Sequence, residues 1–184
     1  MRLTLVTSNI HKAMEFRAIF KAEGMALKYE RMGTLEIQSD NLEEIAVFSS
    51  LQAYTILRKP VFVEDAGLFV EGLGGFPGPY SSYVYRTIGV EGLLRLVEGR
   101  DRRAAFISVI SYFDGSGEPH IFRGSVKGSI AKAPRGRGGF GFDPIFIPEG
   151  YDETFSEMGL RRKIEISHRS RAAYGLIRWL KRQS

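Results

Sequence analysis

The stretch that most narrows the folds open to this chain is Val61-Phe62-Val63, set between Pro60 and a pair of carboxylates, Glu64 and Asp65. An unbroken apolar run of β-branched and aromatic residues reads as a buried strand. A buried strand obliges the rest of the chain to supply covering layers, and the periodicity elsewhere says what they are. Leu3 to Val6 reads as a short strand, and from Asn9 onward Ala13, Phe16, Ile19 and Phe20 recur at helical spacing. Residues 25–29 form a candidate second strand. Asn41 with Glu44 three residues on resembles a capping box opening a helix with Ile45, Phe48 and Leu51 on its apolar face, ending before Pro60. Strands alternating with helices predict an α/β domain.

The second half adds β structure of another kind. Residues 104–113 and 119–131 read as two strands joined around Asp114-Gly115-Ser116-Gly117, a hairpin that makes the sheet mixed. Residues 90–98 suit a short helix, and Ser167 is placed to cap a final one running to about Lys181. Two stretches, 71–82 and 134–150, are too rich in glycine and proline for regular structure and are expected to be shaped loops. With 184 residues and no repeat or linker, the expectation is one domain, 1–184.

Composition removes whole classes of chemistry. The chain has no cysteine, which excludes disulfides, thiolate nucleophiles and cysteine-bound zinc. No segment approaches the roughly 20 apolar residues that span a bilayer, and the first residues do not form a secretory signal, so a cytoplasmic protein is expected. A net charge of +5 suggests a polyanionic partner.

Four stretches carry candidate chemistry. At Thr7-Ser8-Asn9-Ile10-His11-Lys12 a strand meets a helix, and the helix start holds His11 and Lys12 where its dipole favours acids. Either a ligand phosphate brings the negative charge, cradled by the amides and neutralised by Lys12, or Asn9 caps the helix and Lys12 is solvated. Glu64 and Asp65, neighbours at the end of a buried strand, repel one another unless a hard cation such as magnesium accepts their oxygens. The bland alternative is a solvated acidic turn. Gly136, Gly138 and Gly141 spell a formal GxGxxG, but Pro144 and Pro148 forbid the helix that a dinucleotide fingerprint must open. That loop instead presents Phe140 and Phe142, either as flat partners for a nucleobase or as core. In residues 163–171 Lys163 precedes a strand-like stretch, while His168 and Arg169 put basic groups at another helix start. From residue 161 onward eight lysines and arginines face one acid, Glu165.

Taken together, TSNIHKAMEF, FVEDAGLFVEGLGGFPGPYSSYVY, GGFGFDPIFIPEG, TFSEM and KIEISHRSRA occur in the order and rough spacing of the inosine triphosphate pyrophosphatase family, which the chain resembles along nearly its whole length. The resemblance implies an elongated α/β fold with a long mixed central sheet flanked by helices, and two lobes with the nucleotide cleft between them. It implies a magnesium-dependent homodimer that converts ITP, dITP and XTP to the monophosphate and pyrophosphate; no nucleic-acid or membrane partner is expected. Matched position by position, Thr7, Ser8, Asn9, Ile10, His11 and Lys12 bind phosphate. Asp65 is general base and metal ligand, Glu36 the other metal ligand, and Glu64 a possible third. Phe140, Gly141, Phe142 and Asp143 hold the base, Lys163 contacts substrate, and His168 with Arg169 reads the purine. Two departures stand out: Ala66 replaces a common serine, leaving only its amide for substrate, and Gln52 aligns where many members carry a lysine.

This resemblance implies a mechanism in which Asp65 activates a water toward the α-phosphorus while Lys12 and magnesium absorb charge. Arg169, a pure donor, suits a 6-keto oxygen and opposes the 6-amino group of adenine. Two rivals share some of these residues: a nucleotide pyrophosphatase with another base preference, and a basic nucleic-acid-binding module whose binding would fall steeply with salt.

Overall fold

The computed structural model describes residues 3–183. Strand β1 (Leu3–Val6) leads into helix α1 (Ile10–Ala22), followed by β2 (Leu27–Glu30), α2 (Leu42–Leu57) and β3 (Val61–Val70). After a 3-10 turn at Glu71–Leu73 come the two-residue β4 (Pro77–Gly78), helices α3 (Ser81–Thr87) and α4 (Gly89–Leu96), and strands β5 (Arg103–Phe113) and β6 (His120–Ile130). A second 3-10 turn (Asp143–Ile145), β7 (Phe146–Pro148), α5 (Phe155–Ile166) and α6 (His168–Gln183) complete the chain. The sheet runs β2-β1-β3-β5-β6-β7 with β4 on β3. Strand β1 is parallel to β2 and β3, whereas β4 and β7 pair antiparallel with β3 and β6. This is the mixed α/β sheet that the alternation of elements predicts.

The chain divides into two compact units. The first comprises Met1–Asp65, Ser108–Gly124 and Arg169–Ser184. Its core forms because α1 presents Ala13, Phe16, Ile19 and Phe20 along one face, all buried. Phe62 receives them, edge-on to Phe16 at 5.3 Å and stacked on Phe20 at 5.8 Å. The second unit comprises Ala66–Ile107 and Ser125–His168. Phe106, Phe146 and Phe155 form its aromatic centre, with Phe106 and Phe146 4.7 Å apart, joined by Leu68, Leu93, Val126 and Phe142.

Several expectations change in detail. The strand that begins at Val61 does not end at the carboxylates; β3 continues for ten residues to Val70 and carries Glu64 and Asp65 in its interior. Side chains alternate along a strand, so the two acids project to opposite faces and do not compete for one site. Asn41 does cap α2, accepting from the Glu43 amide at 2.9 Å, but Glu44 accepts from the Ser39 hydroxyl and closes no reciprocal box. Phe48 and Leu51 on that helix are exposed, while Ile45 is buried. The glycine-rich stretch after β3 gives way to α3 at Ser81, whose hydroxyl accepts from the Leu68 amide (2.8 Å) and donates to the Gly78 carbonyl (2.6 Å). A short helix can start there because that buried hydroxyl ties it to the strand.

Lys163 also lies elsewhere than its strand-like surroundings suggest. Thr154 and Glu157 form a true capping box that starts α5, and KIEI is its last turn, beyond a break at Gly159 (φ 71°). A capped helix start outweighs a four-residue alternation that suits either structure.

Gly67 sits where β4 crosses β3 closely: a Cβ there would lie 2.3 Å from the Gly78 carbonyl oxygen. The obstacle is backbone, so it cannot rotate away. Gly67→Ala is therefore expected to destabilise the fold by about 1–3 kcal/mol, a fall in Tm of roughly 2–12 °C, measurable by thermal denaturation. An unchanged Tm would mean that the β3–β4 pairing yields freely.

Candidate active site

The first unit gathers its chemistry where β1 ends beside the interior of β3. Because Leu5 pairs with Phe62 in parallel register, the turn leaving β1 runs beside Glu64. Within that turn the Asn9 amide donates to the Thr7 hydroxyl at 3.1 Å, and the Asn9 side chain accepts from the His11 and Lys12 amides at 2.9 and 3.3 Å. Asn9 thus caps α1, as one of the two sequence readings holds, yet Lys12 is not solvated. Its ammonium donates to the Glu64 carbonyl at 3.0 Å and pairs with Glu64 Oε2 at 2.9 Å. Ser8, Ile10 and His11 are exposed around it.

Glu64 Oε1 accepts from Ser108 Oγ at 2.6 Å and from Arg169 Nε at 3.1 Å. Arg169 Nη1 in turn donates to Glu15 at 2.5 Å, and both residues are buried. The opposed charges of these two acids and two bases offset the cost of placing them so far from water. Burial by itself pushes the Glu64 carboxyl up; Arg169, Lys12 and Ser108 together outweigh it and bring its pKa down to about 2, so it is ionised across the neutral range. The cluster also explains a basic first turn on α6: Glu15 and Glu64 supply the anions that offset the helix dipole.

Glu15 and Ser108 escaped the sequence reading. Glu15 had a signal, since it lies three residues after Lys12 and so on the same side of α1. Ser108 had none, because only the sheet brings it to Glu64.

Asp65, on the opposite face of β3 from Glu64, is half-buried, as is Ala66. Glu36 is exposed in the segment before α2, and the neighbouring Leu35 amide donates to Gln52 Oε1 at 2.7 Å. Gln52 therefore shapes the backbone around Glu36. Among the described residues no cluster of three or more His, Asp or Glu side chains is placed to hold a metal by protein ligands alone. Glu36 is exposed and Asp65 half-buried, and carboxylate oxygens are the donors that a hard cation such as magnesium takes.

In the second unit the loop before β7 wraps a buried carboxylate. Asp143 Oδ2 accepts from the Phe140 amide at 2.8 Å and from Lys163 at 2.6 Å. Gly139 (φ 73°) has to be glycine, since a Cβ there would fall 2.2 Å from that oxygen. No α-helix follows the glycines, only the 3-10 turn at Asp143–Ile145, in keeping with the rejected dinucleotide reading. Phe140 and Phe142, alike in the sequence, part company. Phe142 is core, edge-on to Tyr85 at 5.6 Å, while Phe140 is half-buried with the Lys163 ammonium 4.9 Å from its ring centre. His168 is buried, stacked on Phe106 at 4.6 Å and 10°. Gly141, at φ 61°, sets the turn between the two phenylalanines.

A profile of the Ham1 family matches residues 3–179. The chain is 52% identical over 182 residues to the dITP/XTP pyrophosphatase of Thermococcus kodakarensis, covering 98% of each chain. It is 48% identical to the protein of the same name from Hyperthermus butylicus, covering 97% of this chain and 94% of that one. Among solved structures, the Ham1 protein of Staphylococcus aureus superposes with a TM-score of 0.83 at 32% identity, over 98% of this chain and all (100%) of its own.

Proposed function

We propose that this chain, which belongs to the Ham1 family, hydrolyses non-standard purine nucleoside triphosphates, ITP, dITP and XTP, to the nucleoside monophosphate and pyrophosphate. The observation that carries the reading is the buried Lys12–Glu64–Arg169 cluster, which sets a phosphate-binding cation and a donor-only guanidinium on one carboxylate, next in sequence to Asp65. Relatives named dITP/XTP pyrophosphatase support the substrate class.

Lys12 neutralises triphosphate charge beside the turn Thr7 to His11. Asp65 takes the proton of a water whose oxygen attacks the α-phosphorus; the α-phosphorus bond to the bridging oxygen breaks, and pyrophosphate leaves with that electron pair. Magnesium, when bound, neutralises phosphate oxygens, and Glu36 with Asp65 would hold it. Arg169, locked by two carboxylates, is a preorganised donor for the 6-keto oxygen of hypoxanthine or xanthine. Adenine presents a donor at that position and leaves both groups unpaired, which is costly in a dry site. In the second unit the half-buried ring of Phe140 is an aromatic face of the kind a base stacks on, with Gly141, Phe142, Asp143 and Lys163 shaping its loop, and His168 directly precedes Arg169 in sequence.

The reading includes a homodimer working in the cytoplasm. Supporting a partner surface, Phe76, Tyr80, Tyr83 and Ile88 of the second unit are exposed apolar residues close in sequence. No helix among the described residues is long and apolar enough to cross a membrane.

Pyrophosphate release from ITP, XTP, GTP, ATP and the pyrimidine triphosphates, with magnesium and with chelator, tests this directly. ITP and XTP are expected to exceed ATP in kcat/KM by about 10²-fold or more, and chelation to abolish release. Equal cleavage of all bases would remove Arg169 as a reader. Absence of cleavage would remove the function.

A further inference from the structure

Glu64 is engaged on both sides by groups that serve opposite ends of the substrate. Its Oε2 lies 2.9 Å from Lys12, the phosphate-binding cation, and its Oε1 lies 3.1 Å from Nε of Arg169, the base reader. Its side chain is 1% exposed, so it has no water to make up for a lost partner. We propose that Glu64 is a shared counter-ion that couples triphosphate capture by Lys12 to base reading by Arg169, so that each half of the substrate tightens the protein's hold on the other.

The physical basis is the number of donors and the absence of solvent. A lysine ammonium has three N–H groups; one donates to the Glu64 carbonyl at 3.0 Å while the charge pairs with Glu64 Oε2 at 2.9 Å, so donor capacity remains for a phosphate oxygen. Lys12 is 16% exposed, enough for that oxygen to reach it. Once the ammonium shares its charge with phosphate, Glu64 is less fully neutralised on Oε2. In a poorly solvated site that deficit is made good by a stronger pull on Arg169, whose guanidinium also donates to Glu15. Arg169 is then held more firmly in place when the base arrives. Linkage makes the effect reciprocal: a keto oxygen that fixes Arg169 also favours the Glu64 geometry that holds Lys12. Ser108 keeps Oε1 oriented throughout, at 2.6 Å.

This inference rests on the proposed function, and the experiment separates the two. Inosine carries the base without phosphate, and inorganic tripolyphosphate carries the phosphates without base. Inosine affinity is measured by titration calorimetry on the whole chain with magnesium, without and with saturating tripolyphosphate. Tripolyphosphate is expected to tighten inosine binding by a factor of about 5 to 150 in the natural protein, and by a factor close to one in Glu64→Gln. If Glu64→Gln does not fold, Lys12→Met serves instead: the lysine is at the rim, and with tripolyphosphate raised until it saturates, the coupling is again expected to vanish. Coupling that persists undiminished in the folded variants would overturn the proposal, as would a natural protein that cleaves ITP yet binds inosine equally with and without tripolyphosphate. A protein that cleaves no purine triphosphate would instead sink the function itself.

Discussion

Asp65→Asn is expected to lower pyrophosphate release from ITP by about 10²- to 10⁴-fold, with the fold left intact. Asparagine keeps the shape of the side chain and removes its capacity to accept a proton. The substitution is close to isosteric and Asp65 is only half-buried, on the face of β3 away from the Lys12–Glu64–Arg169 cluster. The effect is expected in kcat, with Tm moved by no more than about 2 °C, as for a surface change of roughly 0.5 kcal/mol. Magnesium titration apportions the loss: if raising magnesium restores turnover, Asp65 acts chiefly as a metal ligand, and if it does not, the proton transfer is what was lost. Near-normal turnover would remove Asp65 from both roles.

Lys163→Met is expected to act on stability first. The lysine and its partner Asp143 have side chains only 2% and 4% exposed, and the ammonium also sits over the rings of Phe140 and Phe155 at 4.9 and 5.5 Å. Methionine fills similar volume but takes from the buried Asp143 carboxylate the ammonium that pairs with it, while the Phe140 amide still donates to that oxygen. Breaking one side of such a pair costs about 3–5 kcal/mol, a fall in Tm of roughly 6–20 °C. Adding Asp143→Asn should recover much of it, since the neutral side chain still accepts from Phe140 without stranding a charge. A double variant as unstable as the single one would show that Lys163 stabilises through packing alone. The loop carries Phe140, so the single variant is also expected to raise KM for ITP more than it lowers kcat.

Legibility from sequence followed the range of the interactions. The strands at Leu3, Val61, Arg103 and His120 and the face of α1 were readable because local pattern and burial coincide. The end of β3 was misread: two consecutive carboxylates look like the close of a buried strand, and only partners 52 and 105 residues away make Glu64 tolerable inside one. KIEI was misread for the converse reason, a local alternation overruled by the capping box that starts its helix. Phe140 and Phe142 could not be told apart, since which of two aromatics points inward depends on turns at Gly139 and Gly141 that composition permits but does not direct.

By itself, then, the sequence determined that the chain is a mixed α/β protein without thiol chemistry, that Lys12, Asp65, Lys163 and Arg169 stand in unusual places, and that its motifs run in the order of one nucleotide-hydrolysing family. Periodicity, glycine and proline placement, and charge at helix starts are local properties, so they are written in the order of the residues. Only the tertiary structure decided that Glu64 neutralises Lys12 and Arg169, that Glu15 and Ser108 join that cluster, and that Asp143 is the anion beneath Phe140. Counter-ion choice in a dry interior depends on which charges meet in space, and residues 154 positions apart, such as Glu15 and Arg169, meet only when the chain has folded.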